Sequence, residues 1–313
     1  MKKTRIGILG VGGVGGYFGG LLAERYFNSA DVEVIFIVRP SSEKIIKEKG
    51  LKLITPQNEK IIFPSLVTSK PDEIGELDYL ICTVKSYDLA ESLIPLKNSV
   101  KRDTILLPLL NGVDSKEIIK TIFPEAVVLD GCVYIVSRLI EPGVVKETGN
   151  IHTLYFGSEK TDQPGLKQLE RLFLDAGIEC FLCDTITSTV WEKFIFISSI
   201  ASLTSYLNLT IGAILSDGMH KQTLLILLKE LKLIADARSI GLQDDVIEKT
   251  LKKMGKLPFE TTSSMHSDFK KGGKTEYRSL TEYVVKCGNE LNIETPGFDR
   301  ILEGFLLSMK KKV

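Results

Sequence analysis

The plainest chemistry in the chain lies near its start, in Gly10, Val11, Gly12, Gly13, Val14 and Gly15. These residues fit G-x-G-x-x-G directly behind the apolar run Arg5 to Leu9 and ahead of Gly16 to Arg25, which can continue as a helix. In a strand, turn and helix of this kind the first glycine allows the tight turn and the second lets the backbone approach a pyrophosphate. The third lets helix and strand pack closely, and the free N–H groups and helix dipole then point at the anion. An NAD site usually ends its second strand in an acidic residue that holds the ribose 2′-hydroxyl. Here that strand ends Ile37-Val38-Arg39-Pro40, with Asp31 and Glu33 at its beginning, and the planar fork of Arg39 suits a 2′-phosphate. NADP(H) is therefore expected over NAD(H).

Other reactive residues carry less. Cys180 and Cys183 stand at C-x-x-C spacing, yet no second pair and no nearby histidine completes a metal site. The five cysteines, an odd number without a regular framework, read as reduced thiols. His152, His220 and His266 are scattered, so no metal is expected; His266 alone has polar neighbours of interest, Ser264 and Asp268. Forty Lys plus Arg balance forty Asp plus Glu, which removes the field that a nucleic-acid or membrane binder would use. No stretch approaches the roughly 20 apolar residues of a membrane span, and a cytoplasmic protein acting on a small molecule is expected.

The elements that must position these residues come in two textures. Of the 313 residues, 43% are hydrophobic and 26% charged, enough for a full core across two domains. Up to about residue 184, short apolar runs alternate with amphipathic stretches. Arg5 to Leu9, Val32 to Val38, Asp78 to Val84, Thr104 to Leu109 and Val127 to Val133 are the strand candidates of an α/β, doubly wound parallel sheet. Gly50 to Val67 reads as a hairpin around Thr55 to Glu59, and Gly143 to Phe156 reads similarly. From residue 185 the apolar spacing turns helical, over Thr185 to Leu207, Ser216 to Ile240, Gln243 to Met254 and Thr275 to Leu291. Ser216 and Asp217 offer a cap, and Gly241 a stop. The expectation is a Rossmann-type domain over 1–184 and an all-helical domain over 185–313, whose long apolar-faced helices are compatible with a homodimer.

Several motifs occur in one order along the chain: Gly10 to Gly20, Thr83-Val84-Lys85-Ser86, Leu110-Asn111-Gly112, Trp191-Glu192-Lys193, Ser263-Ser264-Met265 with Asp268, and Lys274-Thr275-Glu276. In this the chain resembles the ketopantoate reductase family from end to end. The resemblance implies a Rossmann domain and a helical domain with the active site in the cleft between them, and NADPH-dependent reduction of a 2-oxo acid. It makes Lys193 the group that protonates the carbonyl oxygen, with Glu276 holding and tuning it. Ser264 would donate to the substrate carboxylate, and Asn111 and Lys85 would sit near the nicotinamide and the substrate. Trp191 and Phe194 read as core anchors.

One departure stands out. The family usually has asparagines four and eight residues after this lysine, on one helix face, whereas this chain has Ile197 and Ala201. Two polar contacts worth about 0.5–1.5 kcal/mol each are thus missing from the substrate site. Ser198 and Ser202 lie about 100° further round the helix. The default substrate is 2-dehydropantoate; the apolar wall favours a 2-oxo acid with a hydrocarbon side chain as the alternative. A non-catalytic NADPH-binding sensor is the reading from another class.

Overall fold

The computed structural model describes residues 2–159 and 165–310. Its strands are β1 (Thr4–Leu9), β2 (Val32–Ile37), β3 (Leu51–Ile54), β4 (Glu59–Ile62), β5 (Leu66–Thr68), β6 (Tyr79–Cys82), β7 (Ile105–Pro108), β8 (Val127–Val128), β9 (Asp130–Glu141), β10 (Val144–Gly157) and β11 (Cys180–Leu182). By internal contacts the chain divides into two compact units, 1–110 with 115–186, and 111–114 with 187–313.

In the first unit, among the described residues, six strands form a sheet in the order β5-β2-β1-β6-β7-β8, every pair parallel. Its strands are apolar on both faces. Ile6, Ile8, Val34 and Phe36 enter one hydrophobic cluster, and their alternates Leu9, Ile35 and Ile37 enter another, as the two-residue period of a strand requires. The chain fills one side of β1 first and then crosses to β6 on the other. The strand order therefore reverses between β1 and β6, the switch point of a doubly wound sheet.

Helix α1 (Gly13–Arg25) follows β1, and its glycines explain its place. A Cβ on Gly19 would lie 2.9 Å from Ile8 Cγ2 in β1, and one on Gly16 would lie 2.4 Å from Val145 Cγ2 in β10. The helix thus packs between the parallel sheet and a second sheet at distances that larger residues would forbid. Helices α2 (Pro40–Lys49), α3 (Leu89–Leu93), α4 (Ser115–Ile122) and α5 (Leu166–Asp175) complete this unit.

The second sheet joins the expected β3–β4 hairpin to β10, which pairs antiparallel with β9 and parallel with β3 and β11. Two expectations are corrected here. Gly143 to Phe156 is not a hairpin but one long strand, and the hairpin turn comes earlier, at Pro142-Gly143, where Gly143 has φ +77. A register shift between Glu147 and His152 breaks the alternation that would have revealed the single strand. Val127 to Val133 is likewise two strands, divided at Leu129 between the two sheets.

The second unit is helical: α6 (Ile186–Leu207), α7 (Ile211–Ser216), α8 (Gly218–Ala237), α9 (Val246–Gly255), α10 (Ser264–Lys270), α11 (Tyr283–Leu291) and α12 (Pro296–Lys310), with a π-helical turn at Arg278–Glu282 before α11. Trp191, Phe194, Leu227, Leu231, Met254 and Phe298 anchor its core. Asp217 caps α8 by accepting the His220 N–H at 2.9 Å. The helix stops before Gly241: Ser239 takes φ +56, and the N–H groups of Ser239 and Ile240 donate to Asp236 and Ala235 in a Schellman closure. Among the described residues no helix is long and apolar enough to cross a membrane.

Candidate active site

The glycine loop sits at the switch point. The Gly10 N–H donates to the Ile37 carbonyl at 3.0 Å, so the carboxyl ends of β1 and β2 are level. Thr83, just past β6, donates its hydroxyl to the Gly10 carbonyl at 2.5 Å. Gly10 has φ +91, which the turn demands. A Cβ on Gly15 would fall 2.0 Å from the Gly10 carbonyl oxygen and 2.2 Å from Thr83 Oγ1, so close helix–strand packing explains that glycine. Gly12 differs: its backbone is ordinary at φ −89, and a Cβ there would meet nothing within 4 Å. Among the described residues nothing requires a glycine at 12, whereas close approach of a pyrophosphate would. The start of α1 has no side-chain cap, which leaves its first N–H groups for an anion. Val11 and Val14 pack against the core, and Gly13 lies so near β9 that a Cβ would sit 2.4 Å from the Ser137 carbonyl oxygen. These residues fit a dinucleotide.

Arg39 and Lys85 flank this loop. Arg39 follows β2 and precedes α2, with its side chain 78% exposed and Nη2 2.5 Å from Asp88 Oδ2. Asp88 was not foreseen from the sequence, because it comes from the turn after β6, 49 residues along the chain. Lys85 is half-buried at the start of that turn. Glu43 ties α2 down: it accepts from Ser69 N and Oγ and from Lys47 Nζ, and these bonds hold its carboxyl at about 2, well below the usual range.

In the second unit, Lys193 and Asn111 meet although they are 82 residues apart. Lys193 Nζ, on α6, donates to Asn111 Oδ1 at 3.2 Å, and both residues are half-buried. Glu276 is 3% exposed, two residues before the π-helical turn. Ser264 is exposed at the first turn of α10, whose cap is the neighbouring Ser263, accepting the His266 N–H at 3.0 Å. His266 is buried, with Nε2 2.8 Å from Asn208 Oδ1; burial and the Lys270 ammonium push its pKa down, so it is neutral near pH 7. Ile197 is half-buried beside the core, but Ala201 is 1% exposed inside it and offers almost no surface. Ser198 and Ser202 face the π-helical turn, not the Ile197 and Ala201 side. Trp191 and Phe194 are core residues in edge-to-face contact at 5.5 Å. Burial pushes the Cys180 thiol up to about 12, which keeps it protonated at neutral pH.

Residues 6–160 match the model of the family described as ketopantoate reductase PanE/ApbA, and residues 185–305 match its C-terminal counterpart. The chain belongs to the ketopantoate reductase family. This reductase is 31% identical to 2-dehydropantoate 2-reductase from Porphyromonas gingivalis W83, whose crystal structure superposes with a TM-score of 0.85 over 97% of this chain and 100% of the other. It is 26% identical over 297 residues to an uncharacterised oxidoreductase, YkpB, of Bacillus subtilis, covering 94% of this chain and 95% of that one. A D-mandelate dehydrogenase solved with NADH and anilino(oxo)acetate shares the fold at 21% identity and TM-score 0.84, over 96% and 97% of the two chains. The reductase is therefore a nicotinamide-dependent oxidoreductase, of a family that reduces 2-oxo acids.

Proposed function

We propose that this reductase converts 2-dehydropantoate to pantoate with NADPH, Lys193 giving the proton. The observation that carries the reading is the 3.2 Å contact between Lys193 Nζ and Asn111 Oδ1, which fixes a half-buried ammonium by an amide distant in sequence. Bound NADPH supplies the hydride. As the substrate carbonyl carbon accepts it, the C=O π pair moves onto oxygen, and an ammonium in reach stabilises that charge and delivers the proton. Glu276 would hold Lys193 by opposite charge, the role the family resemblance assigns it, and its burial supports a structural tie of this kind. Ser264 would donate to the substrate carboxylate, and the family resemblance assigns Lys85 and Asn111 to nicotinamide and substrate binding. Gly10 to Gly15 would hold the pyrophosphate, and the exposed fork of Arg39, paired with Asp88, would serve the 2′-phosphate. The first unit, 1–110 with 115–186, would thus bind the cofactor and the second, 111–114 with 187–313, the substrate, close to the expected division at 184, in a cytoplasmic enzyme for which a homodimer through the helical half is the assembly to test by light scattering.

A second reading, a more apolar 2-oxo acid, is favoured by Ile197, and Ala201 adds no polar group. Initial rates with 2-dehydropantoate and with 2-oxoisovalerate, which lacks its hydroxymethyl group, separate the two. A higher kcat/KM on 2-dehydropantoate is expected; the reverse order would move the function to the second reading. Tighter binding of NADPH than of NADH, lost in R39A, is expected on either, and equal affinities would remove the 2′-phosphate assignment.

A further inference from the structure

Three consecutive residues of the π-helical turn after Glu276 are each tied to a different partner. Ser279 Oγ donates to Asp114 Oδ2 at 2.7 Å, the Leu280 carbonyl accepts from Ser198 Oγ at 2.5 Å, and Thr281 Oγ1 lies 2.8 Å from Ser202 Oγ. Every side chain making these bonds is buried, none more than 9% exposed. Buried hydroxyls and carboxylates cost free energy that an apolar filling would avoid, so such a network specifies an arrangement more than it adds stability. The arrangement it specifies is local to the site. Ser198 and Ser202 stand one turn apart on α6, the helix that carries Lys193. Asp114 ends the four-residue loop that begins with Asn111. Gly112, at φ +100, folds that loop so closely onto the π-helical turn that a Cβ there would lie 3.2 Å from Ser279 Cβ and 2.9 Å from Asp114 Oδ1. With the Lys193–Asn111 contact the links form a closed ring. It runs from Lys193 along α6 to Ser198 and Ser202, across to the π-helical turn, through Ser279 to Asp114, and back through Asn111.

We propose that Ser279 and Asp114 are positioning residues whose hydrogen bond sets the Asn111 amide against the Lys193 ammonium, with Ser198 and Ser202 holding the same turn, and Glu276 with it, in register on α6. This inference rests on Lys193 as the proton donor and extends that role to groups outside substrate and cofactor contact. Without the Ser279 hydroxyl, Asp114 loses this donor, the loop can rotate about Gly112, and Asn111 no longer fixes the ammonium.

The test is steady-state reduction by NADPH of 2-dehydropantoate, and of 2-oxoisovalerate, by wild type, S279A, S279T, D114A, S199A and K193A, with a thermal melt of each. S199A is the control, because the Ser199 hydroxyl is equally buried but bonds the Ile195 carbonyl within α6. S279A is expected to lower kcat tenfold or more with KM for NADPH within twofold, S279T to recover kcat to within threefold, and S199A to keep kcat within twofold at a similar melting temperature. Should S279A fail to fold, D114A, which removes the acceptor, provides the same split of kcat from KM. An S279A or D114A enzyme with full kcat, or a loss that S199A shares and that follows melting temperature, would overturn the inference while an inactive K193A left the proton-donor reading standing. An active K193A would overturn both.

Discussion

At the scale of single residues, the glycine loop uses one residue type for different reasons, and substitution separates them. An alanine methyl at Gly15 would meet the Gly10 carbonyl oxygen at 2.0 Å, and neither backbone can yield. G15A is expected to lower the melting temperature markedly, by overpacking that costs about 1–3 kcal/mol or more. G12A meets no protein atom; its stability should change by no more than about 0.5–2 kcal/mol, the range of an N-cap substitution, while NADPH affinity falls tenfold or more. Thermal melts beside a fluorescence titration with NADPH check both, and a G12A protein that binds NADPH normally would remove the pyrophosphate from that loop. On α6 the two departures from the family also part company. I197N places an amide at the edge of the core and is expected to raise kcat/KM for 2-dehydropantoate several-fold. A201N buries one inside the apolar cluster at a cost of about 1–3 kcal/mol, visible as a lower melting temperature. The loop was legible because all its residues are contiguous, although Gly13 and Gly15 also answer to Ser137 and Thr83, far along the chain. Asp88 was not, since its meaning lies in Arg39, on a different strand end.

At the scale of elements, α2 carries Arg39 at its start and is held by Glu43, whose carboxylate accepts from Ser69 and Lys47. Those bonds depress the folded-state carboxyl to about 2, below its unfolded range near 4.3. A depressed carboxyl stabilises the fold in full above the unfolded value and loses that contribution as pH falls through the folded one. E43Q is therefore expected to be less stable than wild type at pH 7, with the difference shrinking between about pH 5 and pH 2; urea melts across that range would expose a constant difference if the bonds did not matter. Elements with a strong period were readable in advance: the parallel strands β1, β2, β6 and β7, the β3–β4 hairpin, α6 and α8, whereas β5 lay hidden at the end of the segment read as that hairpin. Those that failed did so for identifiable reasons. The irregular register around Gly149 hid the continuity of β10, and Ser239 ended α8 where Gly241 offered the commoner signal. The π-helical turn at 278–282 has no local sequence signature, because side chains on α6 and in the 111–114 loop, far along the chain, bond to it.

At the scale of the whole molecule, the change of apolar period near residue 184 foretold an α/β part and a helical part, since periodicity reports each element's solvent-facing side. It did not foretell that residues 111–114 leave the first unit to join the second, a matter of a few contacts around Gly112 and Ser279. That excursion brings Asn111 to Lys193, so the candidate site depends on a topological detail that periodicity does not carry. The central claim, that Lys193 donates the proton in an NADPH-dependent reduction of a 2-oxo acid, is tested most directly by following NADPH consumption with 2-dehydropantoate for wild type and K193A. Wild-type turnover with a K193A rate lower by 10²-fold or more, the range of general acid catalysis, at unchanged NADPH affinity is the expected result. A K193A enzyme that turns over as fast as wild type would contradict it.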